Sequence, residues 1–264
     1  VTHGYFPNQQ RENQAQNTTT DSADLVKLWH ARTGHVSPKA LLYLPSCTTG
    51  AEALKGLTRE QVVSVAGTNC TVCPKARMKA KPHSKLAVRK HTTMVIRAFG
   101  DCVATDNFGP MPRSFDWGFV YGTVYVDFKT QLGAVYFQVV KGLVDSIPVR
   151  KRFIADHIHF GHIKQFHSDC ALELMGPSMR TFLDGNSMTA SYNVAGESNM
   201  NNRAEGHIGL LTTVARAMRI HSGMPVTHWP TMYLYASKVR AVLPKQLTDG
   251  TLTTALTLAS GNHP

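Results

Sequence analysis

Asp106, Asp169 and Glu205 are the residues in this chain whose types and spacing best suit chemistry, with 35 residues between the last two. Acidic side chains that converge on one point hold a pair of divalent ions, and such a pair cuts and rejoins phosphodiester bonds by in-line displacement. The chain carries 17 Asp and Glu in all, most of which simply solvate the surface, so local context has to decide. Asp106 stands in Thr105-Asp106-Asn107-Phe108-Gly109-Pro110 at the end of an expected strand, where a side chain can face a cleft. Asp169 closes the strand of His167-Ser168-Asp169, and Glu205 opens a helix in Asn201-Asn202-Arg203-Ala204-Glu205. Read without chemistry, the two aspartates are turn residues and Glu205 complements its helix dipole.

A second set of residues has the spacing of metal ligands. His30 and His35 are separated by four residues, and Cys70 and Cys73 by two. Two imidazoles and two thiolates supply the four N and S donors of a closed tetrahedral zinc site. A redox Cys-x-x-Cys is the rival reading, but no thioredoxin-like strand precedes this one. The surrounding residues 25–82 read as a small helical domain, a size that is marginal without a staple. Metal binding would supply its folding free energy, so loss of zinc is expected to unfold this region and leave the rest structured. His157, His159, His162 and His167 also cluster, without a cysteine or carboxylate at matching spacing, and are read as structural or surface histidines.

Charge points to a polyanionic partner. Lys and Arg exceed Asp and Glu by 28 to 17, a net +11, which favours nucleic acid. No acid occurs from Gln61 to Gly100, whereas Lys75, Arg77, Lys79, Lys81, Lys85, Arg89, Lys90 and Arg97 all fall there. A solvated basic linker is the bland alternative to phosphate contact. The 5 cysteines show no disulfide-framework spacing, which suits a reducing, intracellular setting. No apolar run approaches the roughly 18 residues that span a bilayer, and the polar opening lacks the apolar stretch of a signal peptide.

The elements that must position these residues are legible in outline. Leu25, Leu28 and Trp29 fall at helix spacing, Ser37-Pro38 starts a second helix, and Thr58 to Gln61 has the form of a capping box. Strands are expected at 103–108, 118–128 and 131–140, then a helix at 146–159, a strand at 163–168, a helix at 177–183 and a strand at 188–192. Long helices follow at 203–222 and 229–242. Three strands followed by alternating helices and strands make an α/β layer structure with a mixed sheet. The expected division is a flexible lead-in at 1–24, the helical metal-binding domain at 25–82, a basic linker at 83–98, the α/β domain at 99–245 and a tail at 246–264.

At the motifs the chain resembles a known family, the integrases of copia-type LTR retrotransposons. Trp29-His30-Ala31-Arg32-Thr33-Gly34-His35 is similar to the opening of that family's HHCC zinc region, and Cys70-Thr71-Val72-Cys73 resembles its cysteine half. Asp106 with Gly109-Pro110 is similar to the first acidic block, His167-Ser168-Asp169 with Glu173 to the second, and Asn201 to Glu205 to the third. Ala215-Arg216-Ala217-Met218, Gly223-Met224-Pro225 and Trp229 follow in the family's order. The chain departs from the pattern at Cys170-Ala171-Leu172, where the family carries Asn-Gly-Gly, at Gly206 to Gly209 after the glutamate, and at Asp127 to Thr130.

The resemblance implies a ribonuclease H-like mixed sheet with flanking helices, preceded by a small helical zinc-binding domain. It implies catalytic Asp106, Asp169 and Glu205 holding Mg²⁺ or Mn²⁺, and Zn²⁺ on His30, His35, Cys70 and Cys73. The activity implied is trimming of DNA 3′ ends and their transfer into target DNA. The partners would be element ends, target DNA and further copies of the chain, with no membrane, in the nucleus after a cytoplasmic particle stage. Lys75, Arg77, Lys79, Lys81 and Arg216 are the expected DNA contacts. Two alternatives use the same fold: a catalytically decayed DNA-binding or assembly protein, and a ribonuclease H-like nuclease without strand transfer.

Overall fold

The computed structural model describes residues 22–78, 95–169, 176–192 and 202–261. Lys79, Lys81, most of the basic run, Cys170, Glu173 and the expected lead-in as far as residue 21 lie outside them.

The N-terminal part is helical: α1 (Ser22–Arg32), α2 (Pro38–Cys47), α3 (Arg59–Val62) and α4 (Val72–Arg77). Its starts follow local chemistry. Ser37 accepts from Ala40 N at 3.3 Å with Pro38 in the first turn, satisfying a donor that the helix itself leaves open. Thr58 and Gln61 exchange both capping-box bonds, at 2.8 and 3.2 Å. Val26, Leu41, Leu44, Ala51, Leu54, Val62 and Ala66 pack together. Val239 and Leu243, from the far end of the chain, belong to the same cluster. The helical part is therefore not sealed on itself; one wall of its core comes from the helix Trp229–Val242 and its C-cap.

Five strands form the main sheet: β1 (Val103–Phe108), β2 (Tyr121–Asp127), β3 (Gly133–Gln138), β4 (Gln165–Ser168) and β5 (Thr189–Tyr192), in the order β3-β2-β1-β4-β5. β2 runs antiparallel to β1 and β3, while β1, β4 and β5 are parallel. The parallel pairs are joined through α5 (Leu143–His157) and α6 (Pro177–Asp184). One face carries Val103, Tyr125 and Phe166 against Phe153 of α5 and Met179 and Leu183 of α6. The other carries Ala104, Val124, Val126 and Val135 against α7 (Asn202–Ser222) and α8 (Trp229–Val242). Both faces are covered, so β2 reads as a nearly continuous buried run.

Two expectations need correction. The helix expected from Ser146 starts at Leu143 behind Gly142. Ser146 Oγ donates to the Gly142 carbonyl at 2.8 Å instead of capping, and Pro148 sits inside the helix. The 246–264 stretch is also not a bare tail through residue 261. β6 (Lys245–Gln246) pairs with β7 (Leu252–Thr253), and α9 (Ala255–Ser260) follows, capped by Thr254 and closed by Gly261 at φ 73°. Glycines 206 and 209 do not break α7, which runs for 21 residues. Buried Ala204, Leu211 and Ala215 hold it to the sheet, a tertiary gain that overrides local propensity.

Candidate functional site

Strand alternation decides which way Asp106 points. Ala104 belongs to the face beneath α7 and α8, and residues two apart share a face, so Asp106 lies on that side. β4 pairs with β1 in parallel, Val103 with Phe166 and Ala104 with His167. Continuing that register one more pleat brings Asp169 level with Asp106. Glu205 sits in the first turn of α7, the helix that covers this same face. Arg203 secures the start of that helix by donating to the Phe128 carbonyl at 3.1 Å while its guanidinium lies 4.6 Å from the centre of the Phe128 ring.

Asp106 senses the other two acids, although the three do not bring their donor atoms within 4.8 Å of one another as His30, His35, Cys70 and Cys73 do. Burial pushes the Asp106 carboxyl up to about 6, and the nearby Asp169 and Glu205 carboxylates push it the same way. A hydrogen bond from Asn107 N to Asp106 Oδ1 at 2.8 Å and the charge of Lys141 work against that rise. Glu205 is exposed and Asp169 half-buried, so the site is open to solvent on one side. Clustered carboxylates that raise a neighbour's pKa are relieved by a cation, and an oxygen-only donor set suits Mg²⁺ or Mn²⁺. Gly109, which ends the first acidic block, has φ 120° and would place a Cβ 2.8 Å from Val120 O. Glycine is required there because the hairpin backbone closes against it.

The four predicted zinc ligands come together. His30, His35, Cys70 and Cys73 place their donor atoms within 4.8 Å of one another, the only such group of three or more among the described residues. Cys73 Sγ lies 3.3 Å from His30 Nε2 and 3.8 Å from His35 Nδ1, and Cys70 Sγ lies 3.4 Å from His35 Nδ1. Metal bonds of about 2.3 Å to sulfur and about 2.05 Å to nitrogen at a tetrahedral angle separate S from N by about 3.5 Å. The donor set and the spacing both fit a tetrahedral ion. Burial lowers both histidines to about 4, so both are neutral at pH 7, the form that ligates. Burial and the adjacent Cys70 push the Cys73 thiol up to about 11, so binding a metal there must expel a proton.

The cluster is built against the helix that carries Glu205. Gly34, at φ 69°, lies so close to α7 that a Cβ would meet Val214 Cγ1 at 2.5 Å and Met218 Cε at 2.7 Å. The His221 ring near the end of α7 packs 5.1 Å from the His35 ring. Arg216, expected to contact DNA, donates to the Met78 carbonyl at 3.0 Å and so ties α7 to the segment after α4. Lys75 and Arg77 are exposed on α4. Arg203, Lys141 and His221 escaped the sequence reading; only Arg203, two residues before Glu205 in the same block, had a local signal.

No protein-family model matches the sequence, and no curated protein matches it either. Among solved structures, the chain is similar to one in the simian T-cell lymphotropic virus intasome in complex with PP2A regulatory subunit B56 gamma. That alignment has a TM-score of 0.54 at 16% identity and covers 84% of this chain and 74% of that one. The shared architecture is a ribonuclease H-like fold. The magnesium complex of the HTLV-2 integrase catalytic core domain, trimeric form, aligns at TM-score 0.47 and 11% identity over 61% of this chain and 96% of that one. Within this fold, among the described residues, no helix is long and apolar enough to cross a membrane.

Proposed function

We propose that this protein is a retrotransposon integrase of the copia type, which trims the 3′ ends of the element's DNA and joins them to target DNA. The reading is supported by the placement of Asp106, Asp169 and Glu205 toward one side of the sheet, with Asp106 raised first by burial and then by the other two acids. Asp106, Asp169 and Glu205 are the residues that would hold Mg²⁺ or Mn²⁺. Bound there, the ions supply an activated attacking oxygen and a stabilised leaving oxygen for in-line displacement.

The protein's own residues do the rest. Asp106 must be ionised to bind a cation, and a carboxyl near 6 is largely so at neutral pH. Arg203 holds the start of α7 and thereby the backbone that presents Glu205. His30, His35, Cys70 and Cys73 would hold zinc and fix the helical module, which braces α7 through Gly34, His221 and Arg216. The exposed Lys75 and Arg77, with Lys79 and Lys81 beyond them, supply phosphate contacts whose affinity falls with salt. Joining two DNA ends calls for two active sites, so the working form is a homo-oligomer, acting on chromosomal DNA in the nucleus.

The test is a Mg²⁺-dependent end-trimming and strand-transfer assay on blunt DNA ends, with Glu205→Gln alongside wild type. The expected result is activity in wild type and a loss of about a thousandfold or more in the variant. Cleavage without joining would favour a plain nuclease. DNA binding with neither step in wild type would make this a non-catalytic DNA-binding protein that keeps the fold.

A further inference from the structure

A cavity of about 420 Å³ lies between the helical module and the sheet domain; His35 and Cys73 of the metal cluster help to line it, and none of the three acids does. Arg77, His207, Arg240 and Lys245 are among its lining residues, and no Asp or Glu is. Arg240 is half-buried with its Nε lacking a hydrogen-bond partner, and no ion pair among the described residues involves it. His207 is only 8% exposed, and its Nε2 is likewise buried and unpartnered. Lys245 is held on the Thr130 carbonyl. A guanidinium cannot shed its proton in a protein, and the terminal nitrogens of half-buried Arg240 are not among the buried, unpartnered atoms, so they stay available to a ligand. Basic side chains around a half-open space with no acid among its lining residues, Asp127 near Lys245 lying outside it, suit an anion from outside.

We propose that this cavity binds a small phosphate-bearing anion that bridges the helical module and the sheet domain. Arg240 engages the phosphate oxygens from the α8 side and Arg77 from the α4 side. The planar fork of each arginine suits two phosphate oxygens at once. The volume suits a ligand of nucleotide size or smaller and excludes a duplex. Because α4 and the Gly34 turn form one wall and α7 and α8 the other, an occupant stabilises the joint between them. This holds whether or not the acid site is active.

Calorimetric titration of the zinc-loaded full chain in Mg²⁺-free buffer tests it, with pyrophosphate and adenosine monophosphate as separate probes. The first reports a bare inorganic anion and the second a nucleotide. Binding of at least one is expected, together with a rise in melting temperature. Arg240→Gln should weaken it about tenfold or more and Arg77→Gln several-fold, with Arg152→Gln unchanged. Arg77 is exposed, so its variant carries the test if Arg240→Gln does not fold. Three results would overturn the proposal: no binding of either probe, binding that both variants leave intact, or heat that tracks zinc stripped from the protein. A short DNA duplex that displaces the probe and loses affinity equally in Arg240→Gln would also overturn it, by assigning the cations to a nucleic-acid path.

Discussion

The two polar clusters of this protein are assembled in opposite ways. The His2Cys2 cluster is closed: its donors come from a helix end, a turn and α4, and three of the four are buried. The sulfur–nitrogen gaps of 3.3 to 3.8 Å leave room for one ion and nothing else. The carboxylate cluster is open. Asp106 is fixed in a central strand, Asp169 lies just past a strand end, and Glu205 stands exposed on the first turn of a helix. A closed donor set suits a metal that only holds structure, and an open one suits a metal that must also hold substrate. The two clusters are nevertheless coupled, because α7 begins at the acids and ends against His35.

That contrast can be broken most severely at Cys73. Cys73→Ser removes a buried ligand, and the expected loss is on the order of 4 kcal/mol or more. Because Val239 and Leu243 share the helical module's core, the melt should also loosen α8, not just the first helices. Hydrogen exchange on the variant checks this; protection of α8 at wild-type levels would mean that the module is energetically separate.

Gly34→Ala probes the coupling itself. The left-handed backbone and the 2.5 Å approach to Val214 together predict a loss of about 2 kcal/mol. Zinc content should stay normal while strand transfer falls, since α7 carries Glu205. A variant with full activity and an unchanged denaturant midpoint would uncouple the two clusters.

At the open site the expected effect is smaller and of opposite sign. Asp106 sits near 6, above its ordinary value of 3.8. In Mg²⁺-free protein its protonated form therefore favours folding below pH ~4, and that contribution is lost as pH rises through about 6. Asp106→Asn should then be more stable than wild type at pH 7.5 by on the order of 1 kcal/mol, with the gap closing toward pH 5. Added Mg²⁺ should raise the wild-type melt only. Urea unfolding at the two pH values is the check, and a variant less stable than wild type at pH 7.5 would contradict it. Arg216→Gln comes last, with about 1 kcal/mol expected from the lost bond to Met78 O and a correspondingly small shift in melting temperature.

Much of this was legible beforehand, for physical reasons. The capping box at Thr58, the proline start at Pro38 and the strand at Val103–Phe108 are local signals, and each element stands where its residues put it. The meeting of the two histidines with the two cysteines was legible because Cys-x-x-Cys on a turn leaves few geometries. The early start of α5 was hidden because Gly142 caps it with no side chain. The C-terminal hairpin was hidden by two-residue strands, too short for a periodic pattern, although Thr254 and Gly261 do bracket α9. Nothing local could show that Val239 completes the first helices' core or that Arg240 faces a cavity, because both depend on how distant helices pack.

The contrast between a closed cluster proposed to hold a structural metal and an open one proposed as catalytic is tested most directly by anomalous X-ray scattering from crystals grown with zinc and soaked in Mn²⁺. The account predicts a zinc peak among His30, His35, Cys70 and Cys73, and manganese peaks among Asp106, Asp169 and Glu205. Manganese absent from the three acids while zinc occupies its cluster would contradict it.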